Sequence, residues 1–216
     1  MTTVAPPHSF PELLGDVERY YTAKLAEHGA TPRGVDWNGD ASQTLRFEQL
    51  EKLISPGARF SVNDIGCGYG AMFGFLRQRH PDVDYDGCDI SPDMVDAASR
   101  QFRGDARAAF AVGSKPRRTA DYGFASGIFN VRLGRTDQEW QAYMTATLDL
   151  IAQTSRLGFA FNCLTSYSDP DRMRADLYYA SPTAIFDLCK RRYSRHVALL
   201  HDYGLYEFTI LVRKEP

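Results

Sequence analysis

The stretch Asp64-Ile65-Gly66-Cys67-Gly68-Tyr69-Gly70 places a carboxylate two residues ahead of three alternating glycines. Gly66 and Gly68 allow a tight turn and let the backbone approach a ligand with no side chain in the way. Gly70 then opens a helix, whose free amides favour electron-rich groups. The same glycines also satisfy a looser dinucleotide pattern, Gly66-x-Gly68-x-x-Ala71. Asp64 weighs against a dinucleotide, because its charge repels a phosphate, whereas a positive amine finds it useful directly or through water. A second carboxylate, Asp89, follows 25 positions later at the end of the next apolar run. It can accept both hydroxyls of an adenosine ribose. Nicotinamide cofactors carry that ribose too, so Asp89 alone leaves both readings open.

Both acids end strand patterns, "RFSVNDIG" and "VDYDGCDI". A helix is predicted over 70–80, with Met72, Phe73 and Leu76 inward and a stop at His80-Pro81. Ser91-Pro92-Asp93 supplies a hydroxyl cap, a first-turn proline and an acid suited to the helix dipole. Met94, Val95, Ala98 and Phe102 form the buried stripe of the helix that follows. "ARAAFAV" and "YGFASGIFNV" read as third and fourth strands and "RLGFAFNCL" as a fifth. Between the last two, residues 137–152 place Trp140, Tyr143, Met144, Thr147, Leu148 and Ile151 on one helical face. Residues 182–192 are a further helix, and two apolar runs around Asp202-Tyr203-Gly204 close the chain as a hairpin, with His201 and Asp202 at its turn. Such alternation gives an α/β fold, a parallel sheet with helices on both faces. Ligands in such sheets lie beyond the carboxyl ends of the strands, where the glycine loop falls.

The first 55 residues follow a different pattern. Phe10, Leu13, Leu14, Val17, Tyr21 and Leu25 recur at helical spacing up to His28-Gly29. The turn-rich "TPRGVDWNGD" leads to a second helix from about Ser42, with Leu45, Phe47, Leu50 and Ile54 inward, ending before Pro56.

Taken together these motifs resemble the class I S-adenosylmethionine-dependent methyltransferases, over roughly residues 58–214. Asp64 to Gly70 matches the acid and G-x-G-x-G of that family's first motif, and Asp89 with "ISPDMVDAA" its ribose-binding acid and continuation. "AVGS" occupies the place of the adenine loop, where a Gly-Ser stands instead of the frequent aspartate. The stretch from Asp121 through "YGFASGIFN" matches the fourth strand beside the transferable methyl. The resemblance implies a Rossmann-like, doubly wound, seven-stranded sheet of order 3-2-1-4-5-7-6 with the last strand antiparallel. It also implies a cofactor set of Asp64, Gly66, Cys67, Gly68, Gly70, Asp89, Ile90, Met94, Gly113 and Ser114. Residues 1–57 are then a helical lid, with Tyr20, Tyr21, Arg33 and Trp37 as its candidate residues and Arg33 and Trp37 reaching the cofactor, and residues 58–216 the methyltransferase core.

S-adenosylmethionine is already activated, so such an enzyme aligns an acceptor with the methyl and excludes water, leaving S-adenosylhomocysteine. A base is needed only for a neutral hydroxyl or a protonated amine. Asn130 and Arg132 follow the fourth strand and are expected to orient the acceptor and to pair with a substrate carboxylate or phosphate. Asn162, Thr165, Ser166 and Tyr167 are expected to line the acceptor pocket, with Tyr178 and Tyr179 as its aromatic wall. The expected reaction is methyl transfer to oxygen or nitrogen of a small molecule. Its rivals are an NAD(P)-dependent oxidoreductase, disfavoured by Asp64 and by chain length, and a non-catalytic cofactor-binding partner protein.

Composition narrows the classes further. A chain of 216 residues, 44% hydrophobic and 24% charged with net charge -2, suits one soluble domain and lacks the clustered positive charge of a nucleic-acid or membrane-surface binder. Lys190-Arg191-Arg192, with Arg195 nearby, reads as a solvated helix end. No signal peptide or membrane-spanning run is visible. Cys67, Cys88, Cys163 and Cys189 show no C-x-x-C spacing, which points to reduced thiols in a cytoplasmic protein, without metal. A monomer or homodimer is expected.

Overall fold

A computed structural model describes residues 10–57 and 59–214; residues 1–9 of the expected lid, Ala58 at its junction with the core, and residues 215–216 lie outside them. Seven strands form one sheet in the order β3-β2-β1-β4-β5-β7-β6. They are β1 (Ser61–Ile65), β2 (Asp84–Asp89), β3 (Ala108–Val112), β4 (Ala120–Ala125), β5 (Ser155–Leu164), β6 (His196–Leu200) and β7 (Glu207–Arg213). The first five pair in parallel, and β7 runs antiparallel to both β5 and β6. The sheet order implied by the family resemblance is therefore present strand for strand. The strand expected over "YGFASGIFNV" stops at Ala125. Gly127 there takes a φ of +79°, and the chain leaves the sheet as a turn.

Among the described residues six α-helices flank the sheet: α1 (Pro11–His28), α2 (Asp40–Glu51), α3 (Ala71–Arg79), α4 (Pro92–Gln101), α5 (Asp137–Gln153) and α6 (Pro182–Arg192). Local chemistry sets their ends. Ser91 accepts the Met94 amide at the start of α4, and Thr136 with Glu139 forms a reciprocal capping box on α5. The basic end of α6 is paired: Arg191 with Asp187, and Arg192 with Asp149 through two 2.6 Å hydrogen bonds.

Alternation along the central strands divides the core in two. Phe159 and Phe161 of β5 belong to one face with α5 and α6, and Ala160 between them belongs to the other with α3. The N-terminal helices also divide. Leu13 and Val17 of α1 join the first face, whereas Phe47 and Leu50 of α2 join the second. The link between them, a single 3-10 turn at Pro32–Val35 followed by Asp36 and Trp37, passes the carboxyl ends of the strands, where Val35 and Trp37 meet Gly68 and Gly127. This arrangement sets up the site.

Candidate active site

The carboxyl ends of β1, β2 and β4 converge on Gly66. The amides of Gly66 and Cys67 both donate to the Cys88 carbonyl, at 2.8 and 3.1 Å, tying the loop after β1 to β2. Gly66 and Gly68 lie at φ +73° and +53°, where side chains are strained. A Cβ on Gly66 would stand 2.1 Å from Ile128 Cγ2, and one on Gly68 would stand 3.3 Å from Val35 Cγ1. The inner face of the loop is thus roofed by the turn after β4 and by the N-terminal link.

Two buried carboxylates flank this loop. Asp89 accepts the Gly68 amide on Oδ2 and the Ser91 amide on Oδ1, both at 2.9 Å. A carboxylate has about four lone-pair positions, so acceptor capacity is left for a ligand. Asp64 accepts the Tyr85 hydroxyl on Oδ2, and its Oδ1 is buried without a partner among the described residues. Burial pushes the Asp64 pKa up to about 7, with the nearby Asp89 charge adding to the rise and the Tyr85 hydrogen bond opposing it. A half-satisfied carboxyl of this kind suits a cationic or hydrogen-donating group delivered by a ligand.

Three hollows adjoin Gly66 and form one groove. One is lined by Asp64, Cys67, Gly68, Gln43 and Ser126, whose Oγ is a second buried atom without a partner. The next holds Asp89, Ile90 and Met94 under Tyr21, Val35 and Trp37. The third holds Gly113 and Ser114 against Tyr143 and Ile128. Ten of the expected cofactor positions, Asp64, Gly66, Cys67, Gly68, Asp89, Ile90, Met94, Gly113, Ser114 and Trp37, are brought together here.

The other two lie off the groove. Gly70 caps α3 at φ +84°, and a Cβ there would stand 2.8 Å from the Phe102 ring, so its small size serves helix packing. Arg33 is exposed on the outside of the 3-10 turn, because the inner side is taken by Gly34 and Val35.

Beside the groove opens a larger cleft of about 400 Å³. Tyr21, Val35 and Trp37 line both, forming the seam between them. Asn130 faces the cleft, and its Oδ1 accepts the Leu164 amide at 3.1 Å. Of the remaining cleft expectations only Tyr179 is met. Arg132 pairs with Asp137 at the start of α5, where the helix dipole also favours that acid. Tyr178 is buried in the core with its hydroxyl accepting from Gln141 at 3.0 Å, and Tyr179 lines the cleft in its stead. Asn162, Thr165, Ser166 and Tyr167 do not line the cleft, whereas Leu164 and Ser168 do.

Arg46, Glu207 and Arg174 were not foreseen at this cleft. Arg46 binds Glu207 through two hydrogen bonds at 2.6 and 2.8 Å while lying 4.6 Å from the centre of the Trp37 ring. Asn162 donates to Glu207 at 2.8 Å and accepts the Gly127 amide at 2.7 Å, so the pair also anchors the turn after β4. Arg174 crosses the cleft mouth to Asp36 at 3.0 Å, and Asp36 also accepts the Tyr20 hydroxyl at 2.8 Å. The available signals were weak: a charge beside the apolar face of α2, and an acid opening the apolar run of β7.

Comparisons with known proteins bear on the family and the fold. A family model described as a methyltransferase domain matches residues 63–153. The Mycobacterium tuberculosis (strain H37Rv) protein Rv1506c, whose methyltransferase assignment is itself inferred, is 60% identical over 163 residues, covering 76% of this chain and 98% of its own. The chain belongs to the class I S-adenosylmethionine-dependent methyltransferase family, whose methyl donor is S-adenosylmethionine and whose co-product is S-adenosylhomocysteine. Among solved structures, magnesium protoporphyrin IX methyltransferase from Synechocystis PCC 6803, crystallised with S-adenosylhomocysteine, superposes with TM-score 0.63 at 15% identity, covering 93% of this chain and 99% of that one. Human N-acetylserotonin methyltransferase with S-adenosylmethionine gives TM-score 0.60 at 17% identity, covering 94% of this chain and 56% of that longer one. At such identities the likeness is one of fold.

Proposed function

We propose that this protein transfers the methyl group of S-adenosylmethionine to an oxygen or nitrogen of a small-molecule acceptor. The observation that carries the reading is the continuity of the three-part groove on Gly66 with the 400 Å³ cleft, through a seam of only three side chains. The groove's chemistry fits the donor. Asp64, with its unpartnered oxygen, suits the methionyl amine. Asp89 keeps acceptor capacity for the ribose, and Gly113 with Ser114 offers a flat end beside Tyr143 for the adenine. The cofactor supplies the activated methyl; the chain binds it, holds the acceptor across the seam and excludes water.

In this reading the segment up to residue 57 is a lid. The support is its path: α1 and α2 sit on opposite faces of the sheet, and the link between them roofs Gly68 and Gly127 through Val35 and Trp37. Four free, buried cysteines are in keeping with a cytoplasmic site of action. Calorimetric titration with S-adenosylmethionine, S-adenosylhomocysteine and NADH tests the cofactor. Transfer of a tritiated methyl to members of a small-molecule library then separates an enzyme from a binding partner. Binding of NADH alone would restore the oxidoreductase, and cofactor binding with no transfer would favour the partner protein.

A further inference from the structure

The cleft is unequal in its hydrogen-bonding chemistry. Its charged acceptors are engaged within the chain. Glu207 takes three hydrogen bonds, two from Arg46 and one from Asn162. Asp36 takes the Tyr20 hydroxyl and Arg174, with Lys24 at 3.6 Å. Each carbonyl of Asn130 also serves the chain, its Oδ1 accepting the Leu164 amide and its backbone oxygen the Tyr178 amide at 2.8 Å.

The donors are in the opposite condition. Because the Leu164 amide fixes which way the Asn130 side chain points, its Nδ2 is the end left over, and it has no partner among the described residues. Trp37 Nε1 likewise donates to nothing among them, and it stands at the seam, 3.3 Å from where a Gly127 Cβ would be. The Tyr179 hydroxyl accepts the Arg174 amide at 2.8 Å and keeps its proton free. Arg46 makes one hydrogen bond from each of its three nitrogens, so two of its five N–H groups are unused. Unpaired donors at a partly desolvated wall are costly unless a ligand supplies oxygen lone pairs.

We propose that the acceptor is methylated on an anionic oxygen, a carboxylate or an acidic phenol, whose lone pairs meet these donors. This inference rests on the methyl-transfer reading above. One oxygen lone pair forms the bond to the methyl carbon, while the S–C bond breaks and its electron pair stays on sulfur. The negative charge of the oxygen cancels the positive charge of the sulfonium, and no proton changes hands. The seam accordingly needs no base. Tyr21, the titratable side chain there, is a phenol whose pKa burial pushes above its ordinary value, so it stays neutral. An amine, by contrast, would bring N–H groups to a wall whose charged acceptors already serve cations and hydroxyls of the chain.

The test uses the full chain loaded with S-adenosylhomocysteine and three probes: 2-naphthoate, 4-nitrophenol and 2-naphthylmethylamine. Calorimetry and saturation-transfer NMR measure binding, and tritiated methyl transfer from S-adenosylmethionine measures reaction. The expected result is that one or both oxygen probes bind at least about tenfold tighter than the amine and carry label on oxygen. Comparing the two oxygen probes separates carboxylate from phenolate. In Asn130→Asp the Leu164 contact can persist while the donor is lost, so affinity for the oxygen probe falls by about tenfold or more with S-adenosylhomocysteine affinity unchanged. Equal or tighter binding of the amine, label on nitrogen, or binding of no probe overturns the proposal. Failure of S-adenosylhomocysteine itself to bind overturns the methyl-transfer reading beneath it, and this inference with it.

Discussion

The groove and the cleft adjoin across three side chains, yet they are made of different material. The groove is floored by backbone: loops leaving parallel strands, glycines at positive φ, and two buried acids, Asp89 held by amides and Asp64 held by a phenol through one oxygen. The cleft is walled by side chains from α1, the 3-10 turn, α2, the loop after β5 and the start of β7, and it is tied together by ion pairs. A floor of backbone depends on topology and tolerates little change of residue type. A wall of long side chains can be rebuilt for another ligand without disturbing the sheet, except where, as at Arg46–Glu207, it also supports the fold. The two regions should therefore fail in different ways.

The largest effect is expected in the cleft and should appear as lost stability. Arg46→Met leaves the buried Glu207 carboxylate uncompensated, at a cost of about 3–5 kcal/mol. For a chain of this size that corresponds to a drop of roughly 10 °C in Tm by calorimetry. A Tm within a degree or two of the parent would show that the pair is not structural.

Gly66→Val should act on function first, with a smaller cost in stability. A β-branched side chain at φ +73°, with its Cβ 2.1 Å from Ile128 Cγ2, closes the groove. S-adenosylmethionine affinity should fall by about a hundredfold or more, and the strain of a few kcal/mol should lower Tm by roughly 5–10 °C. Retained affinity would mean that the cofactor does not cross Gly66.

Asp89→Ala is the next in size. Losing a charged acceptor should weaken S-adenosylmethionine binding by roughly 1–3 kcal/mol in titration. An unchanged affinity in a folded variant would remove Asp89 from the ribose site.

The smallest effect is on pH. With a folded pKa of about 7 against an ordinary 3.8, Asp64 keeps its proton in the folded state over a range where the unfolded chain has lost it. Its contribution to stability is therefore lost progressively as pH rises from about 4 to 7, and not as pH falls. A cationic amine binds the ionised form, so S-adenosylmethionine affinity should rise about fivefold from pH 6 to pH 7, with a proton released on binding. Titrations in buffers of different ionisation enthalpy measure that release, and Asp64→Asn should abolish it.

The same contrast explains what could be read from the chain. The groove's parts are fixed by local rules: an acid and glycines after one strand, an acid after the next, and a capped helix behind it. Those residues fell where expected because parallel-sheet topology leaves the loops little choice. Gly70 did not, because a glycine at a helix start can serve packing against Phe102 as well as a ligand. The cleft draws on residues far apart in sequence, such as Arg46 and Glu207 or Asp36 and Arg174, whose meeting depends on how the arm crosses the sheet. Tyr178 and Tyr179 illustrate the limit. Adjacent tyrosines leave an extended chain in opposite directions, and the isolated bridges on either side of them, Leu177 to Val131 and Ala180 to Thr165, set which one turns inward.

A crystal structure of the protein with S-adenosylhomocysteine is the most direct test of the central claim, that one cofactor spans the groove across Gly66 with its reactive end at the seam. The account predicts adenine beside Gly113 and Ser114, ribose on Asp89, the methionyl amine at Asp64, and sulfur turned toward Tyr21 and Trp37. A ligand lying in the 400 Å³ cleft, or running through the groove in the opposite direction, would contradict it.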